Sequence, residues 1–126
     1  MGTPSGVVVL PARFKPTHPT SGLPGFPAVD VFQHAGRPVS TGFGGIVTRI
    51  SGRPCHLGGR PGGSYGISVY VTDRRTREVR FVTHLEQLLA VVGDAIWPGR
   101  VLGTICLPPS GSPPGSAHAH LGHYRP

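Results

Sequence analysis

The most reactive pattern in this 126-residue chain is a pair of histidines two positions apart. His118 and His120 flank Ala119, and on a β-strand this spacing directs both imidazoles to the same face. Two imidazoles on one face predict either a metal-binding pair or an acid–base pair. The alternative is a surface pair with no chemical role.

Two further polar residues stand in apolar surroundings. Asp30 interrupts the strand-like segment PAVDVF, and a carboxylate in a buried strand needs a partner. His84 follows the strand-like segment RFVT and precedes a leucine. Taken alone, each has an ordinary structural explanation, because Asp30 can accept backbone N–H groups and His84 can pack at the end of a strand.

Short strands must position these residues. Glycine and proline contribute 20 and 15 residues, while apolar residues recur in short runs and charged residues make only 13% of the chain. We interpret the glycines and prolines as turn residues between strands. The sequence therefore predicts a mainly β fold, a single antiparallel β-sheet domain over residues 1–126, and excludes a helix bundle.

The predicted strands are separated by long glycine- and proline-rich loops at 52–66 and 107–117. Residues 86–92 have the pattern of one or two helical turns. The segments with strand character are 7–10, 27–32, 36–40, 45–51, 67–72, 78–83, 98–106 and 118–124.

The charge balance is strongly basic, with a net charge of +7 carried by eleven arginines and one lysine. The one cluster, Arg74, Arg75, Arg77 and Arg80, brackets the predicted turn of the 67–83 hairpin. It is either a solvated turn or a surface that attracts an anionic polymer, such as nucleic acid or a cell wall. A nucleic-acid-binding protein is disfavoured, because the sequence shows no basic face with interleaved aromatic residues.

The cysteines, the apolar segments and the first residues of the chain indicate the cellular compartment. Cys55 and Cys106 do not form a CxxC pair, and we expect two independent thiols, with one disulfide as the alternative. No apolar run approaches the ~20 residues that cross a bilayer. The first sixteen residues lack the basic region of a secretory signal. We therefore expect a protein that stays in the cytoplasm, leaves the cell by lysis or a dedicated route, or is carried inside a larger particle.

Six segments, taken in order along the chain, resemble motifs of the lysostaphin-type zinc endopeptidases, which cleave peptide cross-links in bacterial cell walls. The family shows an HxxxD segment, a G-x-P-V strand, a G-x-V strand, a histidine in YaHL, a G-D-x-V turn and a final HxH. The corresponding segments here are PAVDVF, GRPVST, GGIVTRI, THLEQL, VGDAIWPGRVLGTI and HAHLG. They extend from about residue 18 to residue 123.

The resemblance implies the fold of that family, the duplicated-hybrid-motif-like architecture, and a Zn²⁺ cofactor. It implies that Asp30 and His120 bind the zinc ion. His118 and His84 would then be the catalytic pair that handles the water and the developing oxyanion. A catalytic zinc ion keeps three protein ligands and an open position for water, whose pKa it lowers towards neutrality.

The first zinc ligand of the family falls on Phe26, which cannot bind a metal. Either the site is broken, or another histidine supplies the third ligand. His18 is the best candidate, because the loop that follows it can bring it back beside Asp30. His34, at the far end of the same strand, is a weaker one. His123 is expected at the surface, and the spacing of His56 assigns it no role.

Two functions from different classes follow. The first is a phage-encoded zinc endopeptidase that acts on peptidoglycan peptides, with the loops at 52–66 and 107–117 walling the substrate groove. The second is a catalytically inactive structural or binding module of a phage virion, in the tail or baseplate, with other virion proteins as partners. Phe26 favours the second, and the presence of Asp30, His84, His118 and His120 together favours the first.

Overall fold

The computed structural model describes residues 7–14, 28–57, 65–109 and 111–125. Within these ranges the chain forms strands and a 3₁₀ helix at Cys55–Leu57, which confirms the mainly β prediction. No helix in the described ranges is long and apolar enough to cross a membrane. The strands are β1 (Val8–Leu10), β2 (Ala28–Phe32), β3 (Pro38–Thr41), β4 (Gly45–Arg53), β5 (Gly66–Thr72), β6 (Val79–Leu88), β7 (Ala95–Ile96), β8 (Val101–Ile105) and β9 (His118–Tyr124).

The strands form one mixed sheet in the order β1-β3-β8-β6-β5-β4-β7, and β9 pairs with both β6 and β2. The expectation of a purely antiparallel sheet is wrong, because β1 runs parallel to β3. A parallel pair needs a long connection, and the chain supplies one between Leu10 and Pro38, which includes β2. The remaining pairs are antiparallel.

Strand β6 is the point at which the sheet forks. Its first half, Val79 to Thr83, pairs with β9, and its second half, from Leu85, pairs with β8. Strand β5 accompanies both halves on the other side. His84 is the residue between the two halves, so the fork itself positions this histidine.

The core lies on the inner face of the forked sheet and is built mainly from valine and leucine. On β9 the alternation is clear, since Ala119 and Leu121 are fully buried while His118 and His120 on the other face are half-buried. The largest side chains of the core that are fully buried are Leu10, Leu85, Leu102, Ile105 and Leu121. Burial of these side chains therefore fixes which face of β9 carries the histidines.

The helical turns predicted at 86–92 are wrong. β6 continues to Leu88, because the backbone of Gln87 and Leu88 pairs with Thr104 and Gly103 of β8. A short segment gains more from completing a sheet ladder than from an isolated helical turn, since helix nucleation is unfavourable. The loop predicted at 52–66 is also shorter within the described residues, because β4 extends through Arg53.

Cys55 and Cys106 form a disulfide, so the expectation of independent thiols is wrong. The Cα atoms are 5.9 Å apart, within the range that a disulfide spans. The bond links the 3₁₀ helix to the residue that follows β8. Spacing along the sequence did not reveal the pair, because the fork brings together two residues 51 positions apart.

Candidate active site

Strands β2 and β9 present an aspartate and two histidines on one face. Asp30 lies opposite His120 in the antiparallel register, and Phe32 lies opposite His118. The Nδ1 atom of His120 is 2.8 Å from Oδ1 of Asp30, and Nε2 of His118 is 3.6 Å from the same oxygen. Both imidazoles therefore converge on one carboxylate, as the i, i+2 spacing predicts.

The ring of His118 is oriented by its neighbours on both sides. Its Nδ1 atom is 2.7 Å from the carbonyl oxygen of Ser116, to which it donates a hydrogen bond. The ring of Phe32 packs against it with centroids 5.1 Å apart. Donation from Nδ1 leaves Nε2 of His118 facing the cluster.

His84 completes the cluster from the fork in β6. Its ring centroid is 4.8 Å from that of His118 and 6.1 Å from that of His120. Its backbone has φ 72°, in the left-handed region that histidine seldom occupies. This conformation occurs where β6 exchanges β9 for β8, and such strain persists only where the surrounding structure maintains it.

Gly66 and the disulfide lie directly behind His84. Gly66 has φ 85°, and a Cβ atom there would be 2.7 Å from Sγ of Cys106 and 2.8 Å from Cα of His84. The N–H of Cys106 donates a hydrogen bond of 3.0 Å to the carbonyl of His84. Only glycine fits this close approach, so the strained backbone of His84 rests on Gly66 and Cys106 together.

Tyr65 is a site residue that sequence analysis missed. Its ring stacks on His84 with centroids 4.1 Å apart, and its carbonyl oxygen accepts a 2.8 Å hydrogen bond from Nδ1 of His84. Burial, and then the charge of Asp30, raise the pKa of its hydroxyl. The only signal in the sequence is its position directly before Gly66, the first residue of β5, and the sequence pattern assigns Tyr65 to the loop at 52–66.

Burial also changes the protonation of His84. Desolvation lowers the pKa of its imidazole from 6.5 to about 4, with smaller lowering effects from His118 and His120. The hydrogen bond to Tyr65 and the charge of Asp30 oppose this shift. Near neutral pH, His84 is therefore an uncharged imidazole whose Nε2 lone pair is available.

The other histidines lie outside this cluster or outside the described residues. His18, predicted as the third zinc ligand, and Phe26 both lie outside the described residues. His34 is exposed and lines a cavity instead of joining the cluster. His56 and His123 each pair with a glutamate, at 2.6 and 2.9 Å respectively.

Asp30 and His120 suit a zinc ion as two of its ligands. Two ligand atoms of a tetrahedral zinc site are roughly 3.4 Å apart, and Oδ1 of Asp30 and Nδ1 of His120 are 2.8 Å apart. If these two atoms moved slightly apart, their distance would match that of two ligand atoms on one zinc ion. Among the described residues no group of three or more histidine, cysteine, aspartate or glutamate side chains is placed to hold a metal. A zinc site built on Asp30 and His120 would need a third ligand from outside the described residues, and His18 is the predicted one.

An open cavity of about 930 Å³ adjoins the cluster. One wall is the end of β2 from Phe32 to Ala35, and the other is the loop that precedes β9. Phe32 and Ser116 belong both to this wall and to the contacts of His118. The lining contains no arginine, lysine, aspartate or glutamate among the described residues.

Comparisons with known proteins give no relative for this geometry. No family model matches the chain, and neither a curated protein nor a solved structure matches it. The resemblance to lysostaphin-type endopeptidases therefore stays a prediction from the six segments.

Proposed function

We propose that the chain is a zinc-dependent endopeptidase that cleaves peptide cross-links of bacterial peptidoglycan. The observation that carries this proposal is the convergence of Asp30, His84, His118 and His120 from three strands. Asp30, His84 and the pair His118 and His120 are far apart in the sequence, and a sheet with no chemical role has no need to gather three imidazoles near one carboxylate.

Asp30 and His120 would hold the zinc ion, with His18 as the third ligand. When bound, zinc makes water a stronger nucleophile at neutral pH and polarises the carbonyl that is attacked. The carboxylate of Asp30 and the imidazole of His120 are the anionic and neutral donors that zinc accepts.

His84 and His118 would handle the protons. Hydrolysis of a peptide bond adds a water oxygen to the carbonyl carbon and breaks the C–N bond, so one proton leaves the water and one reaches the departing nitrogen. His84 donates Nδ1–H to Tyr65 and keeps Nε2 free, which suits it to accept the first proton. His118, when protonated, donates from Nε2 towards the developing negative charge or the departing nitrogen.

The cavity beside His118 offers a place for the substrate. Its open shape admits an extended peptide, and Phe32 with the described residues of the loop at 107–117 forms its walls. No described residue of the loop at 52–66, the other predicted wall, lines this cavity. Because the described lining contains no arginine, lysine, aspartate or glutamate, we expect the portion of the peptide that lies there to be uncharged.

The test is hydrolysis of purified peptidoglycan and of soluble cross-linked peptides, with new termini identified by mass spectrometry. We expect His118→Ala to retain zinc and to lose activity by about 100-fold or more. His123→Ala is the matched control, because it removes a histidine from the same strand outside the cluster. Hydrolysis by His118→Ala at the parent rate would contradict the proposal.

One observation favours the second candidate, an inactive structural or binding module of a phage virion. In the part of the chain that the structure describes, no group of three or more histidine, cysteine, aspartate or glutamate side chains is placed to hold a metal. If the parent protein contains no zinc and releases no new termini, this function replaces the first.

A further inference from the structure

Positive charge collects at the end of β5, β6 and β9 that lies away from the cluster of His84, His118 and His120. The turn between β5 and β6 carries Arg74, Arg75 and Arg77, all of them exposed. Arg125, also exposed, follows β9 beside this turn, because the last residue of β9 pairs with the first residue of β6.

A fifth arginine lies at the same end. Arg13 is exposed and precedes Phe14, whose ring packs edge-on against His123 near the end of β9, with centroids 5.1 Å apart. We call these residues together the arginine end: Arg13, Arg74, Arg75, Arg77 and Arg125.

The turn that presents three of these arginines is ordered by its own hydrogen bonds. Oδ1 of Asp73 accepts from the N–H groups of Arg75 and Thr76 at 2.9 and 3.2 Å. The N–H of Arg77 donates to the carbonyl of Asp73 at 2.7 Å, and Arg77 has φ 63°. The guanidinium groups therefore project from a backbone that is already arranged.

The carboxylates next to the arginine end are engaged by other groups. Asp73 accepts the hydrogen bonds of its own turn, which lower the pKa of its carboxyl together with the nearby arginine charges. Oε1 of Glu78 accepts from Nδ1 of His123 at 2.9 Å and lies 3.6 Å from Arg80. These two carboxylates offset only part of the positive charge that the five arginines carry.

The other three acidic side chains of the sequence lie elsewhere. Asp30 belongs to the histidine cluster. Glu86 pairs with His56 at 2.6 Å, and Asp94 pairs with Arg100 at 3.1 Å. Of the five acidic side chains in the sequence, only Asp73 and Glu78 adjoin the arginine end, so this surface keeps a net positive charge that an anionic ligand can balance.

We propose that the arginine end binds a phosphate-bearing polymer of the bacterial cell wall. Guanidinium groups match phosphate oxygens in geometry and keep their charge at every relevant pH. A polymer that repeats one phosphodiester per unit can contact several of these arginines at once. This inference rests on the proposed function, because it takes the wall to be the place where the protein acts.

The location of the arginine end suits anchoring more than catalysis. His84 lies seven positions after Arg77 along nearly extended chain, a distance of about 20 Å. A polymer bound there leaves the cavity beside His118 open to a peptide.

Nucleic acid fits the arginine end less well. Proteins that bind single strands combine positive charge with exposed aromatic rings on which bases stack. In the described residues the exposed phenylalanine and tryptophan rings are Phe32, beside His118, and Trp97, over which Arg100 lies at 5.1 Å. Neither ring belongs to the strands that carry the arginine end. Phe14 and Tyr124 do lie at that end, but both are half-buried, with Phe14 packed against His123 and Tyr124 against Phe81.

The experiment compares two triple variants that remove the same charge. The test variant is Arg74→Gln, Arg75→Gln, Arg77→Gln, and the control is Arg37→Gln, Arg49→Gln, Arg53→Gln. Each is sedimented with purified walls that retain the phosphate polymer and with walls from which acid has removed it, over a series of salt concentrations. Circular dichroism and thermal unfolding establish that both variants fold.

We expect the test variant to bind polymer-bearing walls roughly tenfold to a hundredfold more weakly than the parent, with a shallower salt dependence. The control variant should bind within about threefold of the parent. Equal losses in the two variants would overturn the proposal, because net charge alone would then explain binding. The proposal would also be overturned if the parent bound equally well to walls with and without the polymer. Stronger competition from duplex DNA than from the purified polymer would overturn it too.

The proposed function and this inference can fail separately. Hydrolysis of soluble cross-linked peptides, which carry no phosphate polymer, should be the same in the parent and the test variant. Loss of wall binding with unchanged peptide hydrolysis supports the anchoring role. A parent that binds the polymer but never hydrolyses peptide overturns the proposed function and leaves the arginine end as a wall-binding surface.

Discussion

The two sides of the candidate site position their histidines by different means. On the β2–β9 side, His118 and His120 lie in a regular antiparallel ladder, and Asp30 lies directly opposite His120. On the β6 side, His84 has a left-handed backbone at a fork in the sheet, with Gly66 pressed against it.

This difference indicates what each side depends on. The ladder side needs only regular pairing and a buried opposite face, which many sequences provide. The fork side maintains a conformation that costs about 1–3 kcal/mol, so it depends on Tyr65, Gly66 and the disulfide. Changes on the fork side should therefore alter stability and the placement of His84, while Asp30 and His120, the proposed zinc ligands, stay in register.

The largest expected effect on stability comes from removing the disulfide. The double variant Cys55→Ser, Cys106→Ser opens a loop of 51 residues, and we expect a loss of about 4 kcal/mol in the free energy of unfolding. Urea unfolding of the parent and the variant measures it. His84 should lose its fixed position before the β2–β9 ladder does, so activity should fall more than zinc content. Equal stability with and without the disulfide would contradict this dependence.

The second effect is the dependence of the free energy of unfolding on pH. The pKa of His84 is lowered from 6.5 to about 4 in the folded protein, so the unfolded chain binds the proton more readily. The lowered pKa of His84 therefore contributes about 3 kcal/mol to the free energy of unfolding of the metal-free protein. This contribution is fully present above about pH 6.5 and is lost as the pH falls towards 4.

His84→Asn removes the titrating group and suits the left-handed backbone. Urea unfolding of both metal-free proteins at several pH values gives the comparison. The variant should lose less stability than the parent between pH 6.5 and 4. Parallel stability curves would show that burial does not shift the pKa of His84.

A smaller effect isolates the close approach at Gly66. Gly66→Ala should cost about 2–3 kcal/mol, because it adds a clash with Cys106 and His84 to the cost of the positive φ. Gly36→Ala is the matched control, since Gly36 has φ 84° but no atom within 4 Å of the added Cβ. The control should cost only about 1 kcal/mol. Equal losses in thermal or urea unfolding would mean that backbone conformation, and not the close approach, determines the role of Gly66.

The ladder side was predictable from sequence and much of the fork side was not. A period of two placed His118 and His120 on one face of a strand, and the isolated carboxylate marked Asp30. The segment THLEQL pointed to His84 only through the family resemblance, because nothing local announces that β6 changes partners there. Tyr65 and the disulfide depend on the same fork, and contacts between distant segments leave no periodic signal in the chain.

The mixed sheet and the end of β6 were missed for the same reason. The parallel pairing of β1 with β3 depends on where a long connection returns. The segment after His84 has apolar residues that fit a helical turn as well as a strand. Pairing with β8 decides between them, and that pairing is visible only in the folded chain.

The most direct test of the site is its zinc content per chain, measured by mass spectrometry on the purified protein. The account predicts about one zinc per chain in the parent and in His123→Ala, and close to none in His120→Ala. His18→Ala should also lose the metal, since it is the predicted third ligand. A parent protein without zinc, or a His120→Ala variant that keeps it, would contradict the claim that this cluster is a zinc centre.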